Sequence, residues 1–298
     1  MIYNVDKLIS LFKIGANIPD GSKVLSDDQI IDILNAELIS NLVPLVMRLK
    51  ESYFVTNKDI TFSGNQYRIP PRCIGGKIKD LYFQTGDGKR LPLTLIESTE
   101  VQKFNTNYTP SFPTCFYIEG NYINLFPLTS GSGTLKLSYH LRPSRLAKPY
   151  RVITGINTGT NVVTFSSFGG ASLSAPIGKL DFINAESGNE ILYQDITVSA
   201  TANPSEFSLA DSASYTNLKV GDYVCEAQTS VVPQMPEEFH PLLVEYAIIN
   251  FLQGQPDSEH LKVRLEKRKT LEDNVNAVYK DRVSGQALKI RVNPGRWR

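Results

Sequence analysis

Several side-chain types in this chain could do chemistry, and their spacing decides whether they do. The histidines His140, His240 and His260 stand alone, with no HExxH and no pair at helical spacing, so no metal site is expected. The cysteines Cys73, Cys115 and Cys225 lie far apart with no CxxC, which reads as reduced thiols in an intracellular setting. Gly-Lys pairs at Gly76, Gly88 and Gly178 are followed by Ile, Arg and Leu where a P-loop needs Ser or Thr, and no Gly-x-Ser-x-Gly occurs. The "GSGT" from Gly131 joins two strand-like stretches and leads into no helix, so it reads as a turn. Glu237 and Glu238 form a carboxylate pair, but neighbours on a helix do not face one another, and both suit a helix start. No catalytic residue, cofactor or metal is therefore assigned.

The basic residues are more informative. "HLRPSRLAKPYR" carries Arg142, Arg145, Lys148 and Arg151 without an acid. "LKVRLEKRK" places Lys262, Arg264, Lys267, Arg268 and Lys269 around one helix, partly offset by Glu266, Glu272 and Asp273. Both are candidate contacts for DNA or an acidic surface, against the plainer reading of solvated faces. From Arg282 onward there are five basic residues and no acid. In "ALKIRVNPGRWR", Leu288, Ile290 and Val292 alternate with Lys289, Arg291 and Asn293, a sided strand pattern. Pro294-Gly295 ends it, and Arg296, Trp297 and Arg298 follow. Burying Trp297 gives roughly 4 to 6 kcal/mol gross at ~25 cal/mol/Å². Ordering the segment costs on the order of 1 to 2 kcal/mol per residue. The rest must come from main-chain pairing with an existing sheet edge, from the apolar side of the strand, or from many copies binding together, and the tail reads as a docking segment for another chain. An edge strand on the protein's own sheet and a disordered end are the alternatives.

The elements that position these residues follow from periodicity. The chain has 298 residues, 41% of them apolar, and balances 31 Lys and Arg against 30 Asp and Glu, so no general attraction to nucleic acid or membrane is expected. Asp6 and Lys7 interrupt the opening apolar stripe, and no secretory signal or bilayer-length apolar run is read. Ser26 and Gln29 form a capping box for a helix with Ile30, Leu34, Leu38, Leu42, Leu45 and Leu49 on one face, which Pro44 should kink or split. Alternating strands follow, with turns at Gly86-Asp87 and Gly120-Asn121, then a second set of short strands typical of a small barrel or sandwich. Helix returns at Pro236 with Phe239, Leu242, Leu243, Tyr246 and Ala247 on one face. After "GQPD" a charged rod carries a thin stripe of Leu261, Leu265, Leu271, Val275 and Val278.

The expected fold is α+β: a helical core from N-terminal and C-terminal helices, an antiparallel β region, and an inserted small β-barrel or sandwich. The segments are 1–52 (N-terminal helices), 53–150 (β region), 151–228 (barrel or sandwich), 229–282 (helix pair) and 283–298 (docking tail).

"ILNAELISNLVPLVMRLKESYF", "YRIPPRCIGGKIKD", "YHLRPSRL", "VGDYVCEAQTSVVPQMPEEFHPLLVEYAI" and "DRVSGQALKIRV" together resemble head-to-tail adaptor, or connector, proteins of tailed bacteriophages, including those of crAss-like phages. The likeness runs from about Ser26 to Val292. It implies a non-enzymatic virion protein at the head-tail interface, in a ring commonly of twelve copies beneath the portal, leaving a channel for genomic DNA. The portal protein and a downstream tail or neck protein are the implied partners, and Val283–Arg298 matches the extension that reaches the portal. Compact adaptors are mostly helical, so the barrel is an elaboration. Another tail or baseplate structural protein, or a tail-associated cell-wall hydrolase, are the rival readings.

Overall fold

The computed structural model describes residues 3–19, 25–103, 112–127, 132–148, 150–157, 159–168, 178–187, 190–200, 205–209, 215, 217–256 and 258–280. The fold is α+β, and its described residues divide into two units: one up to Leu45 and from Pro236 onward, the other Val46–Met235.

The helical unit joins the two ends of the chain. α1 (Val5–Gly15) is capped by Asn4, whose side chain accepts from the Lys7 amide at 2.9 Å. α2 (Asp27–Glu37) starts on the Ser26–Gln29 capping box, with both reciprocal bonds formed. α3 (Val43–Leu49) continues from it through a π turn, Leu38–Leu42. Pro44 therefore does not split the helix. Proline lacks the N–H of the helix ladder, and the wider turn just before it makes room for its ring. Among the described residues, Asp27–Leu49 is a helix long and apolar enough to cross a membrane, which the sequence reading missed because Asn35, Ser40 and Asn41 interrupt it without adding charge. Half of its apolar window is buried inside the protein.

After a 3₁₀ turn at Glu237–Phe239, α4 (His240–Gln253) runs between α1, α2 and α5 (Ser258–Lys280). It was expected to bury one face. Instead Leu242, Leu243, Val244, Ala247, Ile248, Ile249 and Leu252 bury it on nearly all sides, because three helices surround it. Phe12 meets Phe251 at 5.9 Å and Phe239 meets Tyr279 at 5.1 Å between ring centroids, which ties the first and last helices to α4. Tyr279 replaces Val278 in the expected α5 stripe: Val278 is exposed and Tyr279 is buried.

Among the described residues the β unit holds sixteen strands. They are β1 (Val55–Thr61), β2 (Gln66–Arg68), β3 (Cys73–Thr85), β4 (Arg90–Pro92), β5 (Thr94–Leu95), β6 (Cys115–Glu119), β7 (Tyr122–Phe126), β8 (Gly133–Leu141), β9 (Arg145–Leu146), β10 (Tyr150–Asn157), β11 (Val162–Phe168), β12 (Lys179–Ile183), β13 (Ile191–Ala200), β14 (Glu206–Leu209), β15 (Tyr223–Glu226) and β16 (Thr229–Ser230). Two four-stranded sheets, β1-β8-β3-β4 and β2-β7-β6-β5, enclose a core that includes Phe83, Ile123, Leu135, Leu137 and Tyr139. The hairpin turn at Gly120-Asn121 forms, with Glu119 paired to Tyr122 and Gly120 at φ +58°. β1 and β2 are adjacent in sequence yet pair with β8 and β7 in different sheets. β3 bulges between Cys73 and Ile78, where Gly75 and Gly76 take φ of +55° and +70°.

The remaining long strands close into a six-stranded barrel in the order β10-β11-β14-β13-β12-β15, around Ile153, Val163, Phe182, Phe207 and Val224. β10 pairs with β15, so the chain enters and leaves the barrel on neighbouring strands. Parallel pairing of β9 with β16 follows immediately outside.

Candidate functional site

The structure separates the basic residues singled out by sequence. Arg142 and Arg145 are exposed, while Lys148 is half-buried. Arg151 is inside: it stacks its guanidinium over Phe165 at 4.1 Å and Phe207 at 4.8 Å, and burial lowers its pKa from the usual arginine range. On α5, Arg264 donates to the Gly15 carbonyl at 2.6 Å and to Glu245 at 3.0 Å, and its Nε meets His260 at 3.2 Å. Lys267 also binds Glu245, and Arg268 lies 3.4 Å from Glu272. Arg264 and Lys267 hold α5 to its own unit, because Glu245 is a buried carboxylate that needs positive partners, whereas the Arg268–Glu272 pair lies within α5. Lys262 and Lys269 remain exposed. The predicted docking residues Leu288, Lys289, Ile290, Arg291, Val292, Arg296, Trp297 and Arg298 lie outside the described residues.

The histidines and cysteines take structural places. His140 is buried with Nε2 3.7 Å from Glu51, and His240 meets the Tyr3 ring edge-on at 5.6 Å. All three thiols are buried, and burial pushes the Cys225 pKa up to about 12. Among the described residues no three His, Cys, Asp or Glu side chains group as metal ligands would. Gly133 of the "GSGT" stretch begins β8, where a Cβ would stand 2.5 Å from the Gln84 carbonyl oxygen. Close approach of backbones, and no phosphate, accounts for that glycine.

Two features escaped the sequence reading. The first is a buried ion pair that fastens the barrel to the first β layers. Arg72, in the loop before β3, donates Nη1 to Asp181 of β12 at 2.8 Å and Nη2 to Ser144 Oγ at 2.6 Å. Asp181 is fully buried and also accepts the amides of Asp195 at 2.8 Å and Gln228 at 3.0 Å. Both amide donors sit in left-handed backbone, φ +55° and +70°, which turns their N–H groups toward the carboxylate. The Ser144 amide then donates to Gln234 Oε1 at 2.7 Å. Such a fully bonded charge pair is a positioning device, and it fixes the segment from Leu141 to Arg145.

The second is a cleft of about 410 Å³ beside that junction. Tyr53, Phe54, Val55 and Thr56 at the start of β1 form one wall. Leu141 and Pro143 after β8, and Glu190, Ile191 and Gln194 at the start of β13, form the others, with Gln234 at the base. A cleft that mixes Phe54, Val55, Leu141, Pro143 and Ile191 with Thr56, Glu190, Gln194 and Gln234 suits an amphipathic side chain from a partner, such as an aromatic ring with a polar handle. The only available signal was the unbroken run Ser52-Tyr53-Phe54-Val55, whose aromatics exceed what a strand start needs.

No protein-family model matches this chain, and no curated protein matches its sequence.

Proposed function

We propose that this chain is a structural, non-enzymatic virion protein that forms a ring in the neck of a tailed phage, joining the portal to the tail around a channel for DNA. One observation carries the reading. Both chain ends build a single helical unit, and the β layers and barrel are inserted between them, the layout that the adaptor resemblance implies. The tail follows directly on α5, so in a ring every copy presents it from the same helical unit. In this reading Val283–Arg298 docks on the portal, with Leu288, Ile290 and Val292 on one side of an added strand and Trp297 as anchor. Arg142, Arg145, Lys262 and Lys269 are the exposed cations for DNA or an acidic neighbour.

The test is reconstitution with portal rings and electron microscopy. A closed ring on the portal's tail-side face, lost when Val283–Arg298 is deleted while the subunit stays folded, is the expected result. Trimers or hexamers that ignore the portal would instead favour a tail or baseplate role.

A further inference from the structure

We infer that the open edge of β1 and the cleft at its start form a receptor for an extended cationic strand, and that its occupant in the free protein is Leu288–Trp297 of a second copy. β1 pairs with β8 across all seven of its residues, and no strand lies on its other side among the described residues. The strands at the other sheet ends, β4, β2, β5, β9 and β16, are three residues or shorter, and the barrel has no end strand. The stretch of β3 before Tyr82 also lacks a β4 partner, but bulges between Cys73 and Ile78 and between Ile78 and Asp80 break it, so β1 is the regular described edge long enough to take a strand of the tail's length.

The two surfaces match side for side. Thr56, Lys58 and Ile60 share the face of Tyr139, Leu137 and Leu135, whereas Asn57, Asp59 and Thr61 are on the opposite face. A tail strand with Leu288, Ile290 and Val292 on the Ile60 side brings Lys289 and Arg291 beside Asp59, a half-exposed carboxylate that so far meets Lys136. Antiparallel addition sends the far end of the strand toward Tyr53–Thr56, where the cleft opens. The five residue steps from Val292 to Trp297 reach at most ~18 Å, less with a turn at Pro294-Gly295. Phe54, Leu141, Pro143 and Ile191 then wall the indole, and Glu190 stands at hand for Arg296 or Arg298. Lys58, pointing to the core side of an edge strand, deters pairing with arbitrary strands. Stable addition thus needs a second anchor, which the cleft provides.

The inference does not depend on the neck-ring reading; within it, the portal competes for the same segment. The tail carries the chain's single tryptophan, so full-length protein reports on itself. Its emission maximum should move to the red on dilution. Asp59→Lys with Glu190→Lys, both at exposed positions, should hold it at the red limit at every concentration without altering the circular dichroism. Mixing an Asn57→Cys protein with an Arg291→Cys protein should yield a mixed disulfide between copies, since the native thiols are buried. Emission that ignores both dilution and the two charge reversals, with no mixed disulfide, would overturn the proposal. So would blue-shifted emission independent of concentration, which means docking within one copy. None of these readouts involves a portal, so failure here leaves the neck-ring reading to its own test.

Discussion

At the scale of single residues, the Arg72–Asp181 pair has the largest stake in the fold. Removing one member leaves the other buried and unpaired, which typically costs about 3 to 5 kcal/mol. Arg72→Ala should lower the unfolding free energy obtained from urea denaturation by that order, and Arg72→Met with Asp181→Leu should recover much of it. Glu37 is a gentler case. Its carboxylate accepts from Asn250 at 2.6 Å and Asn41 at 2.5 Å, so Glu37→Gln turns an amide donor toward one of them. A loss of about 1 to 3 kcal/mol in chemical unfolding is expected. Cys225 ties stability to alkaline pH. Its folded pKa of about 12 is far above that of an unfolded thiol, near 8.5, so the neutral form is favoured in the fold. This contribution is complete below the unfolded value and is lost as pH rises toward about 12, by on the order of 1.4 kcal/mol per unit. Urea midpoints of Cys225→Val across that window should show a shallower decline than the parent.

At the scale of elements, what could be read from sequence was local. The Ser26–Gln29 box, the Gly120-Asn121 hairpin and the break before α5 each rest on residues within a few positions of one another, and each forms. What escaped depends on distance along the chain. Asp181 reads as an ordinary polar residue in an alternating strand, because its partner Arg72 is 109 residues away. β1 and β2 look like a hairpin until β8 and β7 compete for them from some 60 to 80 residues on. Arg264 looks like surface charge, since nothing nearby in sequence reveals that the Gly15 carbonyl and Glu245 will sit beside it. Arg264→Ala should therefore destabilise α5 against its unit, seen as faster amide exchange along Ser258–Lys280, whereas Lys262→Ala should leave exchange unchanged. Of the basic cluster on that helix, sequence gave the charges but not which of them were already engaged.

At the scale of the whole molecule, the two units are assembled by different rules. The helical unit needs both chain ends, so its association waits for the complete chain, whereas the barrel is closed within Tyr150–Glu226. A fragment spanning 148–228 should accordingly fold by itself, giving a cooperative thermal transition and dispersed amide resonances. In that fragment Asp181 loses Arg72 but keeps the amides of Asp195 and Gln228.

The pairing of β10 with β15 has a practical corollary. Because the polypeptide comes back to its starting point after this excursion, the whole body can be cut out and a short linker spliced in, or a foreign module of similar footprint grafted at the same seam. Such surgery orphans the guanidinium at position 72 and uncovers Phe54, Leu141 and Pro143, which the start of β13 faces, so a neutral side chain at 72 and polar ones at those three positions are what make the seam clean.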